Sequence, residues 1–297
     1  MRPTDEYVLV DDGVRLFVQM LGSGPTAVII PNGLYLFDAL ERLADGRRLL
    51  FVDPRNRGRS DAVSDPSRLA RGVHHDVEDF DAIRRHFNLD RVDLIGHSYM
   101  GLTVVLYALT YPAHAGRVVQ IGALPPDSAR EYPAHLTNLD ATRADVLGRL
   151  ATLQRERDQH DPEAFCRMFW SILRALYVTD PADAARLKWE PCHLPNERSF
   201  AKQYAECLLP SIRQLDLRTE RLASVRTPVL TIHGRKDRSS PYGGGRDWVQ
   251  RLPNARLVAM ERSAHVPWLE EPERFYAALT TFLHGAWPEL AETIHDV

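Results

Sequence analysis

Gly96-His97-Ser98-Tyr99-Met100-Gly101 joins an apolar, strand-like run, Val92 to Ile95, to an apolar, helix-like one, Leu102 to Leu109. A serine at such a strand-to-helix turn is held in strained backbone geometry that lifts its hydroxyl above the sheet edge. The residue after it then points its N–H toward an incoming carbonyl oxygen. Gly96 leaves room for the turn, because any Cβ there would crowd the chain. Short Gly/Ser strings recur by chance, so the reading rests on the flanking strand and helix and on two segments far downstream.

A serine hydroxyl is a poor nucleophile until a base takes its proton, so a histidine and an orienting acid are required. Thr227-Pro228-Val229-Leu230-Thr231-Ile232-His233-Gly234 reads as a buried strand, and Arg235-Lys236-Asp237-Arg238-Ser239-Ser240-Pro241 as the loop leaving it. Asp237 is thereby predicted on the same edge of a parallel sheet as Ser98, the edge where α/β folds bind ligands. A further strand, Ala255 to Met260, leads into Glu261-Arg262-Ser263-Ala264-His265-Val266-Pro267-Trp268, which puts His265 in the next loop at that edge. The chain order is Ser98, Asp237, His265.

Elsewhere strand and helix patterns alternate, the signature of an open, mostly parallel sheet. Tyr7 to Val10 and Val14 to Met20 flank Asp11-Asp12-Gly13 and predict a hairpin at an antiparallel edge. Thr26 to Ile30 and Leu49 to Asp53 suit central strands, His75 to Phe87 has helical spacing, and Arg117 to Ala123 reads as a strand. The alternation stops between residues 124 and 222. This span opens on Pro125-Pro126, and Asp161-Pro162-Glu163 reads as an N-cap with proline at the first helical position. Phe165, Phe169, Ile172 and Leu176 follow at helical intervals, and a second helix is expected near Asn196, carrying Phe200, Tyr204 and Leu208.

Four segments in this order resemble the α/β-hydrolase fold, over nearly the whole chain. They are Phe51-Val52-Asp53-Pro54-Arg55-Asn56-Arg57-Gly58-Arg59-Ser60-Asp61, the serine turn, Gly234-Arg235-Lys236-Asp237, and Ser263-Ala264-His265 followed by Glu270-Glu271-Pro272-Glu273. The resemblance implies a mostly parallel central sheet of about eight strands with helices on both faces. It implies a core of residues 1–123 and 223–297, with a helical cap, residues 124–222, inserted after strand 6 over the catalytic edge. It also implies Ser98 as nucleophile, His265 as base and Asp237 as acid, with the backbone N–H groups of Tyr99 and Leu34 as oxyanion hole and Asn32 and Gly33 in its loop. Two departures stand out: Met100 where a small residue is usual, and Pro31-Asn32-Gly33-Leu34 where the loop commonly reads His-Gly.

A cap must bury one face on something. Phe165, Phe169, Trp170 and Tyr204 are expected to divide between cap core and an apolar acyl or aromatic pocket. Glu190, Glu197 and Glu206 read as solvated carboxylates, of interest only because some caps hold a substrate amino group.

The expected function is hydrolysis of an ester, or similar acyl bond, of a small to medium apolar substrate through an acyl-enzyme on Ser98. A proline-iminopeptidase-like aminopeptidase is an alternative, although such enzymes resemble one another in a Gly-Gly-Pro-Gly loop that Asn32-Gly33-Leu34-Tyr35 does not match. Carbon–carbon bond hydrolases share the Ser-Asp-His set. Epoxide hydrolases and haloalkane dehalogenases carry aspartate where Ser98 stands. A cofactor-free oxygenase using the His-Asp pair, or a ligand-binding protein on this frame, is the remaining reading. Retention of all three triad members argues against the binding protein.

The 297 residues, 44% hydrophobic and 26% charged, describe an ordinary globular chain able to bury a substantial core. The net charge of −3 spreads without blocks, so the expected partner is a small molecule, not nucleic acid or membrane. Arg55, Arg57 and Arg59 read as loop and ion-pair residues. No apolar run approaches the roughly 18 residues that span a bilayer, and Met1 to Glu6 lacks the apolar part of a secretory signal. Cys166, Cys192 and Cys207 are odd in number, match no metal-site spacing and fit a reducing cytoplasm. His74-His75-Asp76 reads as a surface helix start, not a metal site. No cofactor is expected, and Lys188, Lys202 and Lys236 as the only lysines suit a GC-rich bacterial source.

Overall fold

Short Val/Ile/Leu runs that are apolar on both faces can be buried only in a sheet covered from both sides. The computed structural model describes residues 2–189 and 191–295 and forms such a sheet from them. Its strands are β1 (Thr4–Leu9), β2 (Arg15–Leu21), β3 (Thr26–Pro31), β4 (Arg47–Asp53), β5 (Val92–His97), β6 (Ala115–Ile121), β7 (Val229–Gly234) and β8 (Ala255–Met260). The order is β1-β2-β4-β3-β5-β6-β7-β8. β1 and β2 pair antiparallel with Val8 opposite Leu16, and β2 joins β4 antiparallel. The remaining pairings are parallel.

The two-residue period of each strand sorts its side chains between two apolar clusters. Ile29, Leu50 and Leu94 enter one, beneath the helices Val73–His86 and Tyr99–Thr110. Ile30, Phe51 and Ile95 enter the other, beneath Gly33–Leu40 and Pro272–Leu283. Ile95 has no exposed surface, so truncation to alanine should cost about 2–5 kcal/mol.

Between β6 and β7 the described residues hold helices and turns and no strand. Ala141–Arg155 begins where the Asp140 carboxylate accepts the Arg143 N–H, and Pro162–Leu173 where Asp161 accepts from Glu163 and Ala164. The helix expected near Asn196 is instead a series: Pro195–Arg198, Phe200–Gln203, a wide turn at Tyr204–Leu208, and Leu209–Arg213. Pro210 accounts for the widening, since it has no N–H to donate and its ring crowds the preceding turn.

Two expectations are corrected. Cys166 and Cys192 form a disulfide, leaving Cys207 free, so the odd count hid a bridge and the cysteines no longer argue for a reducing compartment. His74-His75-Asp76 does start a helix, but His75 and Asp76 are buried because segments 54–57 and 207–211 pack over that end. Among the described residues no cluster of three metal-ligating side chains occurs, and no helix is long and apolar enough to cross a membrane.

Candidate active site

At the end of β5 the chain turns so sharply that Ser98 adopts φ 59° and ψ −126°, a region that non-glycine residues rarely occupy. A Cβ on Gly96 would overlap the Met100 carbonyl oxygen, so the turn closes only with glycine there. Met100 is wholly buried in the first turn of the helix Tyr99–Thr110, and the serine turn keeps its conformation beside it. Three backbone bonds fix the serine: its N–H donates to Ile121 at 2.9 Å, and its carbonyl accepts from Gly101 at 2.9 Å and Leu124 at 3.3 Å. The turn is thus tied to the end of β6.

The loop after β7 wraps the Asp237 carboxylate. Its Oδ1 accepts the N–H groups of Ser239 and Ser240, each at 2.8 Å, and its Oδ2 lies 2.7 Å from His265 Nδ1. His233 Nε2 lies 3.5 Å from the same Oδ2 and 3.0 Å from the Ser240 carbonyl oxygen. Burial pushes the carboxyl pKa up, but the imidazole of His265 and these hydrogen bonds outweigh it and hold Asp237 well below the usual carboxylate range. An ionised Asp237 makes His265 Nδ1 the donor and leaves Nε2 as the basic nitrogen. Nε2 is buried and has no hydrogen-bond partner among the described residues, so the Ser98 hydroxyl does not bond to it here.

Three neighbours hold the imidazole. His97, next to the serine, lies 4.4 Å from it ring to ring, and its Nε2 bonds the His265 carbonyl oxygen at 3.0 Å. Burial, with His265 beside it, keeps the His97 pKa far below its usual value, so this ring is neutral. Tyr177 packs at 4.7 Å, and its carbonyl accepts the His265 N–H at 3.0 Å. Gly122, at φ +51°, supplies the space: a Cβ there would sit 2.9 Å from His265 Nδ1 and 3.3 Å from Asp237 Oδ2.

Tyr99 opens its helix, so its N–H has no intrahelical acceptor. Leu34 departs from expectation. Asn32, at φ 61°, starts a helix at Gly33, and the Leu34 N–H in its first turn donates to Asp53 Oδ1 at 3.1 Å. That donor is already engaged.

A cavity of about 450 Å³ opens at this edge, and Asn32, Ser98 and Tyr99 line it from the sheet side. The helical segment contributes Phe169, Trp170, Tyr177, Trp189, Phe200 and Tyr204. Phe165 is not among them. It is buried one turn back, beneath the Arg157 guanidinium at 5.3 Å, because helical spacing reports a face and not how far along it a cavity extends. Tyr177 had no sequence signal beyond being aromatic, and Trp189 only its place beside Glu190.

Glu197 is also corrected, from a solvated carboxylate to a buried one. Its Oε1 accepts from Arg57 Nε at 2.9 Å and the Gly58 N–H at 2.7 Å; its Oε2 accepts from Arg57 Nη2 at 3.1 Å and the Tyr35 hydroxyl. Burial opposes ionisation, but Arg57 prevails and holds the carboxyl below its usual pKa. Glu206 is exposed beside Lys202, and Glu190 lies outside the described residues. Arg55 and Arg59 are ion-pair residues, with Asp79 at 2.6 Å and Asp53 at 2.7 Å respectively.

Known proteins share this fold. The alpha/beta hydrolase fold family matches residues 27–272. A 2-hydroxy-6-oxononadienedioate/2-hydroxy-6-oxononatrienedioate hydrolase of Burkholderia vietnamiensis is 25% identical, over 94% of this chain and 96% of its own. A proline iminopeptidase of Heyndrickxia coagulans is 25% identical, over 89% of this chain and 92% of its own. An esterase of Exiguobacterium antarcticum shares the fold with a TM-score of 0.73 at 19% identity, covering 95% of this chain and 100% of that one. The matched span and the sheet agree: the chain belongs to the alpha/beta hydrolase fold family and is an enzyme of the hydrolase class.

Proposed function

We propose that the protein is a serine hydrolase that cleaves an ester, or similar acyl bond, of a small to medium apolar substrate. In this reading residues 124–222 form a cap over a core of residues 1–123 and 223–297. The observation that carries it is the buried 2.7 Å contact of His265 with Asp237, beside a strained serine that lines an aromatic cavity.

On substrate arrival the Ser98 hydroxyl turns onto His265 Nε2, which takes its proton as Oγ attacks the carbonyl carbon. The oxyanion accepts the Tyr99 N–H, and the Leu34 N–H can join only by leaving Asp53. Asp237 stabilises the imidazolium, which then protonates the leaving oxygen. Water, deprotonated by the same base, releases the acyl group. The cavity wall supports an apolar or aromatic acyl group, since aromatic and aliphatic side chains make most of its lining.

Carbon–carbon bond hydrolysis is the second reading, favoured by the relative from Burkholderia vietnamiensis and compatible with the same three residues. The aminopeptidase reading loses ground. The relative from Heyndrickxia coagulans supports it, but Glu197 is not among the residues that line the cavity and has its charge matched by Arg57.

A fluorophosphonate probe should label the wild-type protein and fail on Ser98→Ala; an unlabelled, folded wild type would overturn the serine mechanism. Turnover of aryl esters, a vinylogous diketone and a proline anilide then separates the readings. Esters are expected fastest, and a diketone hydrolysed far faster than any ester would transfer the assignment to carbon–carbon cleavage.

A further inference from the structure

The guanidinium of Arg57 is buried, with 5% of the side chain exposed, and lines the same cavity as Ser98. It carries five N–H donors in a rigid fork. Nε and Nη2 are committed to Glu197. Nη1 is not: its two contacts, Asn32 Oδ1 at 3.5 Å and the Tyr99 hydroxyl at 3.4 Å, lie at the long limit for a hydrogen bond. A buried donor so weakly satisfied gains from a better-placed acceptor. The Tyr99 hydroxyl, accepting from Nη1, retains its own proton to donate.

We propose that Arg57 Nη1 and the Tyr99 hydroxyl form a subsite that receives a second, neutral acceptor oxygen on the acyl group, a keto or ether oxygen, and so select oxygen-bearing acyl groups over plain hydrocarbon ones. This deepens the acyl-cleaving reading and rests on it. Position argues for the acyl side, since Tyr99 directly follows the serine that would carry the acyl group. Charge argues for a neutral oxygen. Glu197 cancels the guanidinium, so a bound carboxylate would leave one buried negative charge unmatched. Phe200, 3.6 Å from the guanidinium carbon, fixes the fork from its face, so little freedom is lost on binding.

The test compares kcat/KM for para-nitrophenyl esters of a straight-chain acid, its mono-oxo analogues and the matching dicarboxylic half-ester. The best oxo ester is expected to exceed the hydrocarbon ester by about tenfold, as one added hydrogen bond to a charged group allows. The ratio should fall severalfold in Tyr99→Phe and approach unity in the paired variant Arg57→Met with Glu197→Gln, which removes both charges together. Should the paired variant not fold, Tyr99→Phe and the wild-type ratio still decide. A wild type without oxo preference, a half-ester cleaved fastest, or a ratio unmoved in the folded variants overturns the subsite. Fluorophosphonate labelling of Ser98 separates the failures: a labelled enzyme without oxo preference lacks the subsite alone, whereas an enzyme neither labelled nor active on any ester loses the serine mechanism and the subsite with it.

Discussion

The edge of the sheet and the helical segment above it hold their side chains by different means. At the edge, backbone does the placing. Ser98 is tied to Ile121 and Leu124, Asp237 is wrapped by two N–H groups of its own loop, and His265, besides its side-chain bond to Asp237, donates its N–H to the Tyr177 carbonyl, a backbone support lent by the helical segment. In the helical segment, which we propose as a cap, side chains do it: Trp170 stacks on Phe200, Tyr177 meets Trp189, and a disulfide clamps Cys166 to Cys192. Backbone placement fixes a reacting atom to fractions of an ångström. Side-chain placement shapes a volume. The first suits chemistry common to many substrates, the second suits choice among them.

That contrast is tested most severely at the proposed triad. Ser98→Ala or His265→Ala should lower kcat on the order of a million-fold, and Asp237→Ala roughly ten-thousand-fold, on every substrate alike. Steady-state rates that fell for one substrate class only would break the division between chemistry and choice.

The cap disulfide gives the complementary result. Cys192→Ser opens a closed loop 26 residues in sequence separation and should cost about 3 kcal/mol of unfolding free energy, read by denaturant melts. KM should rise more than kcat falls, because the change loosens the wall and leaves the strand-end loops intact. A kcat loss with KM unchanged would place catalytic groups under cap control and blur the two regions.

Gly122→Ala probes the backbone side more finely. The added Cβ meets His265 Nδ1 at 2.9 Å at a φ that disfavours any side chain. A displaced base should cost about a hundredfold in kcat with KM little changed. An unaffected kcat would mean that the imbalance is absorbed by the loop, and that backbone precision there is less strict than the geometry suggests.

The same contrast explains what could be read from sequence. Strand ends are visible as places where apolar runs stop, and parallel strands bring those stops to one edge. Ser98, Asp237 and His265 could therefore be nominated together although they span residues 98 to 265. Leu34 could be nominated as an oxyanion donor, but its engagement with Asp53 escaped because it depends on where the helix begins, a choice made by Asn32 entering the left-handed region. Phe165 and Phe169 share a helical face, and only packing decides which one reaches the cavity. Glu197 looked solvated because its partner, Arg57, lies 140 residues away. The Cys166–Cys192 bridge is hidden for the same reason: spacing does not encode which loop folds back onto which helix.

The finest effect lies at the seam between the regions, where the Val73 N–H donates to the Ser211 hydroxyl at 3.1 Å. Asp76, on the core side, is buried with Oδ2 lacking a partner among the described residues. Burial, reinforced by Asp79 and opposed by Arg55 and Arg57, pushes its pKa up to about 8. In the unfolded chain the same carboxyl titrates near 4. Between these values the folded protein holds a proton that the unfolded chain has released, so the contribution of Asp76 to stability is full below about pH 4 and is lost as pH rises toward 8. The slope expected from Asp76 is on the order of 1 kcal/mol per pH unit, and Asp76→Asn, which cannot ionise, should remove that share. Denaturant unfolding of both proteins at about pH 5 and about pH 7 measures the difference. A widening advantage for the asparagine variant at the higher pH identifies the seam as the place where a buried acid, its Oδ2 without a partner among the described residues, weakens the junction as it ionises. A constant difference would mean that Asp76 ionises freely, and that the seam opens to water more readily than its packing implies.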